Sequence, residues 1–365
     1  MQWVFIYKNL LKFFIKGLIH NHLFLYIFLN MKKIHLYILL IIVVLFILPT
    51  VVTKYKESKV VPTSSIAAKN SKDTKKNDEE CAIQISIQGK VKKYSLEEYI
   101  VGVVAAEMPA SFNLEALKAQ AIASRTFALK RTNFGENSIE PNVSAQAFAD
   151  EEQRRKDWGT SFKNNEKKIR KAVQATKGQV LVYKDELITA MFFSTSNGHT
   201  ESAKSYSGQS IPYLQSVSVP SNEKESPKYH TNYNFTLQQW NSVFNEQWTK
   251  DQIQNVKIYH NNSGRVETIK TGDFKWSGRE VREKLQLSST DFTIKWNANK
   301  KSIQVTTTGY GHGVGMSQYG ANALAEKGAN AKEILYHFYQ QVKIEKLKKS
   351  SSLCLNSQAI DKNSK

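Results

Sequence analysis

The sequence predicts an α+β fold: a helical pair packed with β-hairpins and sheet, preceded by one transmembrane helix. Three observations lead there. Apolar residues recur at helical spacing across residues 95–130, and they alternate or run at strand length across 82–93, 179–194, 256–269 and 292–305. One uncharged run of bilayer length lies near the amino terminus.

That run, Ile34–Val52, follows Lys32 and Lys33 and is succeeded by no small-residue cleavage site, so it reads as a retained anchor. Lys54, Lys56 and Lys59 on its far side leave the orientation unset by lysine count. Residues 1–33 form an N-terminal segment. Residues 1–30 are interrupted by His20, Asn21 and His22 and make a poor span, whereas Met31-Lys32-Lys33 has the form of a natural start. The expectation is an overextension upstream of Met31, with a second membrane-interacting segment as the alternative. Residues 53–80 are polar and lysine-rich and read as a flexible tether. Residues 81–345 form the folded region and 346–365 a polar tail.

A chain of 365 residues, 41% hydrophobic, can bury a sizeable core. Its net charge is +19, and residues 81–365 alone hold 39 Lys and Arg against 27 Asp and Glu. A basic surface suits nucleic acid, anionic membrane or an acidic wall polymer, and the anchor argues against nucleic acid. Cys81 and Cys354 are too few for a disulfide framework and match no metal-ligand spacing; whether they pair is left open.

Along the folded region, Ile83, Ile85, Ile87 and Val91 alternate around a turn at Gly89 and read as two strands. Ser95 with Glu98 is a capping box, so a helix starts at Leu96. Leu96, Ile100, Val103 and Val104 share one helical face, with Glu107 further along the same stripe. Pro109 ends the helix and leaves Glu107 on its last turn. There the negative end of the helix dipole and apolar neighbours both disfavour a carboxylate. A carboxyl group kept protonated at neutral pH is suited to general acid catalysis. The competing readings are a solvent-facing Glu107 or an ion pair with Arg125.

A second helix opens at Asn113 as N-cap and runs through Leu129. Its alanines, Ala116, Ala119, Ala121, Ala123 and Ala128, let another helix approach closely. Lys118, Gln120, Ser124 and Arg125 are polar positions among them, suited to a wall that hydrogen-bonds a hydroxyl-rich ligand; a solvated face is the alternative. Phe134–Ala149 reads as loop, and Lys163–Lys177 as a helix with Ile169, Ala172 and Val173 inward. Gln179–Tyr183 and Leu187–Ser194 form a hairpin that delivers Ser194, Thr195 and Ser196 to a turn at Asn197-Gly198. Thr236–Trp248 and Ser277–Leu285 read helical, between strands broken by Asn-rich turns. Gly309, Gly311, Gly313, Gly315 and Gly320 permit close backbone approach, without the Gly-Lys-Ser/Thr of a phosphate loop. Ala331–Ile344 is a closing helix.

Tyr99–Leu129, YIVGVVAAEMPASFNLEALKAQAIASRTFAL, resembles the signature of the stage II sporulation protein D family, sporulation-associated lytic transglycosylases that cut peptidoglycan glycan strands. The resemblance returns in FFSTSNGHTESAKSYSGQSIPYL from Phe192 and GYGHGVGMSQYGANALAEKG from Gly309. It implies Glu107 as the single acid/base, with Lys118, Gln120, Ser124 and Arg125 lining or supporting the cleft. It further implies that Ser194, Ser196, Asn197, Gly198 and Tyr206 bind substrate, and that His312, Ser317, Gln318 and Tyr319 face Glu107 from the opposite side. Asn197 stands where the family usually has glycine and Tyr206 where relatives commonly have Trp. Arg155 and Trp158-Gly159 resemble the family's next motif and are expected to pack the loop onto the helices. Some members hold zinc through Cys and His residues in the loop matching Phe134–Ala149; this window has neither type, so no metal and no cofactor is expected.

Glycosidases usually pair two carboxylates, and no second acid here has Glu107's apolar setting. By the resemblance one acid suffices, because a hydroxyl of the muramyl sugar itself attacks the anomeric carbon. The implied substrate is glycan stripped of stem peptides by an amidase, stage II sporulation protein P, with stage II sporulation protein M as scaffold during engulfment. The implied location is the extracytoplasmic face of the cell membrane. A rival is a glycan-binding module that stimulates an amidase without cutting. A membrane-tethered DNA-binding protein would explain the charge but not the acid.

Overall fold

The computed structural model describes residues 82–87, 90–142, 145–220 and 225–347, and two hydrophobic cores organise them. The expectations for the anchor, the tether, Cys81, Cys354 and the tail beyond residue 347 lie outside the described residues. Among those described, no helix is long and apolar enough to cross a membrane.

The first core is built around the helical pair. Strands β1 (Ala82–Ile87) and β2 (Lys90–Ser95) pair antiparallel and lead into α1 (Leu96–Glu107). Ser95 caps the helix through the Glu98 amide, but the Glu98 carboxylate is taken by Arg154 and Arg170, so the expected capping box is half made. Leu96, Ile100, Val103 and Val104 are all buried, and Met108 turns extended before Pro109. Asn113 caps α2 (Leu114–Arg131), which runs two residues past Leu129. Its five alanines are fully buried because α1, α4 (Phe162–Ala175), α9 (Gln318–Glu326) and α10 (Ala331–Phe338) all pack on it. Two short helices, α3 (Glu151–Trp158) and α5 (Ala203–Ser207), precede and follow α4.

Strand β3 (Gln179–Tyr183) pairs with β4 (Glu186–Leu187) through Lys184 and Asp185, both left-handed, as a tight hairpin turn requires. The second strand stops at Leu187 rather than reaching Ser194. Ile188 and Ala190 are apolar because they are buried, and β5 (Phe192–Phe193) pairs in parallel with β12 (Met316–Ser317). The closing helix likewise ends at Phe338, short of Ile344. Gln341 is left-handed, and β13 (Lys343–Lys346) returns to pair with β3. Phe338, Val342 and Ile344 fit helical and strand spacing alike, which is why periodicity alone misread the end.

The second core lies within residues 229–308. It contains β6 (His230–Phe235), α6 (Leu237–Phe244), α7 (Lys250–Gln254), β7 (Lys257–His260), β8 (Val266–Thr271), β9 (Phe274–Ser277), α8 (Gly278–Lys284), β10 (Phe292–Asn297) and β11 (Ser302–Thr308). The strands form sheets β10-β11-β6 and β7-β8-β9 over Trp240, Phe244, Trp248, Val281, Phe292 and Ile303. Helix α6 stops at a left-handed Asn245 instead of continuing to Trp248.

The glycine-rich segment joins the two cores. Gly309 donates to Tyr229 O and Gly311 to Ser288 O on the side of the second core. A Cβ at Gly315 would stand 2.0 Å from Met191 O in the first core, so only glycine allows that approach.

Candidate active site

Glu107 ends α1 half-buried, as its place on the apolar stripe requires. Oε1 accepts a 2.7 Å hydrogen bond from the Ala147 amide, and Oε2 lies 3.4 Å from Gln318 Nε2. Burial raises the pKa of Glu107 more than these two donors lower it, so a proton is retained above the usual glutamate range. Arg125 is not its partner.

The Ala147 amide is delivered by a loop laid along α1. Ala149 donates to Gly102 O at 3.1 Å, and Phe148 stacks on Tyr99 with ring centroids 5.5 Å apart. Gln146, buried, accepts from Tyr99 Oη at 3.2 Å and donates to Ser124 O at 3.1 Å. Burial pushes the Tyr99 phenol up, so it stays a donor. Sequence reasoning missed Tyr99, Gln146 and Ala147. The available signal was Gly102, a glycine in mid-helix that marks a close approach. Gln146, Phe148 and the backbone hold the described part of the loop.

From the far side comes the segment after the glycines. Ser317 caps α9 through Gly320 N, and Ser317 Oγ and Tyr319 N both donate to Ser194 O. Tyr319 sets its ring edge-on to Phe112 at 4.9 Å. In this segment Gln318 reaches Glu107, while Ser317 and Tyr319 on either side of it are held to Ser194. His312 lies against Phe193 and Tyr206, each ring centroid 5.8 Å away. Its Nδ1 accepts from Val314 N, and burial followed by the charges of Arg282 and Arg265 pushes its pKa down to about 4. At neutral pH His312 is an uncharged imidazole, a hydrogen-bonding group rather than a proton source.

Several expected ligand-binding residues do other work. Arg125 is fully buried, donates to both Glu97 oxygens at 3.1 and 2.6 Å, and spends Nη1 on Gln179 O, so no donor faces a ligand. Gln120 and Ser124 are fully buried and bond to each other at 2.9 Å, with Gln120 Nε2 as donor. Lys118, half-buried, pairs with Glu115 at 2.6 Å. Asn197 donates to Ser263 O and Asp291 Oδ2 and fastens its turn to the second core, while buried Ser196 accepts from Gly198 N. Gly198 itself opens onto free space. The residue that ties the loop to the helices is Arg154, not Arg155. Arg154 binds Glu166, Glu98 and Ala149 O, whereas Arg155 is exposed and pairs with Glu151. Trp158 packs against the first core, beside Phe162.

Two further groups escaped the sequence. Tyr310 is 37% exposed within the glycine segment, with Lys228 Nζ 4.6 Å from its ring, a flat face suited to a sugar. Asp291 is a second acid whose pKa burial raises, despite Asn197 and nearby Arg265, which correct the expectation that Glu107 stands alone in this respect. Asp291 is not among the groups that set the acidity of Glu107.

Comparison with known proteins places this arrangement among relatives. A protein-family model described as stage II sporulation protein (SpoIID) matches residues 86–183. A stage II sporulation protein D of Bacillus amyloliquefaciens is 41% identical over 261 residues, spanning 70% of this chain and 75% of the relative. One of Bacillus subtilis (strain 168) is 38% identical over 297 residues, spanning 79% and 85%. An amidase enhancer of Bacillus subtilis (strain 168) is 28% identical over 295 residues, spanning 65% of this chain and 39% of the relative.

Proposed function

Because the chain belongs to the stage II sporulation protein D family, we propose that it serves sporulation as a lytic transglycosylase of peptidoglycan glycan strands. The observation that carries this reading is the place of Glu107: a carboxyl group whose pKa burial raises, at the meeting point of α1, the 145–149 loop and the segment after the glycines.

The short bond to Ala147 occupies Oε1, so Oε2, with only the long contact to Gln318, carries the proton. That proton passes to the glycosidic oxygen as the bond from the anomeric carbon breaks. The resulting carboxylate is stabilised by both donors. It then takes the proton from the muramyl hydroxyl whose oxygen bonds to the anomeric carbon. Glu107 ends as it began, no water is consumed, and the product has an anhydro-muramyl end. Ser194 and Tyr319 offer hydrogen bonds to the strand, and Tyr206 and Tyr310 offer ring faces.

In this proposal Ile34–Val52 holds the protein in the cell membrane with the cleft outside. An amidase such as stage II sporulation protein P strips the strands, and stage II sporulation protein M holds the assembly. The relative named amidase enhancer supports a second reading, in which the domain grips glycan and stimulates an amidase. Glu107→Gln separates the two when the full chain is incubated with peptide-free glycan and the released sugars are weighed by mass spectrometry. The enzyme reading expects release of anhydro products to fall by roughly 10²–10⁴. Undiminished stimulation of the amidase by the variant, with no anhydro product from either protein, would establish the binder. Reducing ends in place of anhydro ends would make the protein a hydrolase and bring Asp291 forward as a second carboxylate.

A further inference from the structure

Residues 159–178 hold six Lys and Arg against one acid, Glu166. Glu166 is buried and taken by Arg154 and Arg170. Arg170 also binds Glu98, and Lys168 donates from Nζ to Ser111 O at 3.1 Å. Lys163, Lys167 and Lys171 are left exposed, with no ion pair among the described residues. Spaced at i, i+4 and i+8, they make one row along α4, on the side turned away from the buried Ile169, Ala172 and Val173. Like charges four residues apart on a helix repel one another, so the row weakens α4 unless an anion faces it. The row also lies near the point where the amino-terminal residues enter the fold. Ala82 pairs with Ser95, Ser95 caps α1, and Glu98 in its first turn holds Arg170, the residue beside Lys171.

We propose that Lys163, Lys167 and Lys171 dock α4 on the anionic phospholipid headgroups of the membrane that holds Ile34–Val52, and so set how the domain stands above the bilayer. The proposal rests on the reading of Ile34–Val52 as an anchor, and not on the chemistry assigned to Glu107. A polar chain of the length of residues 53–80 has a root-mean-square reach of about 30 Å, so the face it enters stays close to the bilayer. Anchoring makes the encounter intramolecular, and a row too short to hold a free protein on lipid then suffices. A wall polymer is anionic too, but the entry of the tether beside the row favours the surface on which the tether ends.

The test reads the lysines directly. Full-length protein is reconstituted in vesicles of phosphatidylcholine, and in vesicles of phosphatidylcholine and anionic phosphatidylglycerol mixed two to one. Acetylation at each lysine is then timed by mass spectrometry. On the anionic vesicles Lys163, Lys167 and Lys171 should react about three- to tenfold more slowly than on the neutral ones, and molar salt should abolish the difference. Lys250, Lys275 and Lys300, exposed in the region of the second core, should react alike on both. Lys167→Gln combined with Lys171→Gln should return Lys163 to its rate on neutral vesicles. Absence of protection, protection shared equally by Lys250, Lys275 and Lys300, or protection of Lys163 that survives the double variant overturns the docking. Protection by soluble poly(glycerol phosphate) on neutral vesicles, with none from the anionic lipid, also overturns it and assigns the row to a wall polymer. Each of these results leaves the anchor standing. A chain that alkaline carbonate washes from neutral vesicles has no anchor, and that result counts against both readings. The anhydro-product assay is independent of all of them.

Discussion

Behind α2, Arg125 is withdrawn from water and has every donor answered: Glu97 takes two, and the Ala121, Val173 and Gln179 carbonyls take the rest. At the end of α1, Glu107 is also partly withdrawn, and two neutral donors rather than a cation answer it. The two regions use the same chemistry to opposite ends. A buried charge that is fully paired fixes one packing and has nothing left for a ligand. A buried charge left unpaired is held in an unfavourable state that a proton or a substrate relieves. In this chain burial alone does not distinguish Arg125 from Glu107; their partners do.

The largest effect expected from this contrast is on stability. Arg125→Met leaves the half-buried Glu97 without its cation, and breaking such a pair costs up to about 3–5 kcal/mol. Urea denaturation should show that loss, while glycan binding by the folded fraction is unchanged. A loss of stability below about 1 kcal/mol accompanied by weakened glycan binding would move Arg125 to the ligand side and dissolve the comparison.

Next in size is Gly102→Ala. In mid-helix this change ordinarily stabilises by about 0.5–1 kcal/mol. Here the new Cβ would stand 2.3 Å from Phe148 Cε2 and 2.8 Å from Ala149 O, and overpacking of that kind costs about 1–3 kcal/mol. The penalty exceeds the gain, so denaturation should report a net loss. Because Phe148 and Ala149 flank the amide that holds Glu107, turnover should fall in the molecules that remain folded. A variant more stable than the parent would show that the loop yields freely and does not position the acid.

How much of this was open to sequence reading follows from where each determinant resides. Pro109, the Asn113 cap and the Leu96–Val104 stripe are local, and they placed Glu107 on the last turn of an apolar helix before any fold was known. The second core was visible strand by strand, but not as a separate core. The partner of Arg125 was not legible, because Glu97 is 28 residues away and its neighbour Glu98 offers an equally good carboxylate. Nor was the donor to Oε1, since a backbone amide carries no residue signature. Within Gly278–Lys284, Arg279 and Arg282 look alike in sequence; only packing shows that one is bonded to Glu283 and the other is not.

The smallest effect tests whether the polar contacts beneath Glu107 tune the acid or only support it. Gln146→Ala removes the bonds to Tyr99 and Ser124 O, each worth about 0.5–1.5 kcal/mol, and loosens the adjacent Ala147 amide. That amide favours the carboxylate, so weakening it raises the pKa of Glu107 further. A general acid works while protonated, and its rate falls as pH rises through its pKa. The basic limb of the pH–rate profile should therefore move to higher pH in Gln146→Ala at equal folded fraction. A uniform drop in rate with an unmoved limb would make Gln146 a packing residue. The Ala147 amide would then fix where the carboxyl group sits without setting when it gives up its proton.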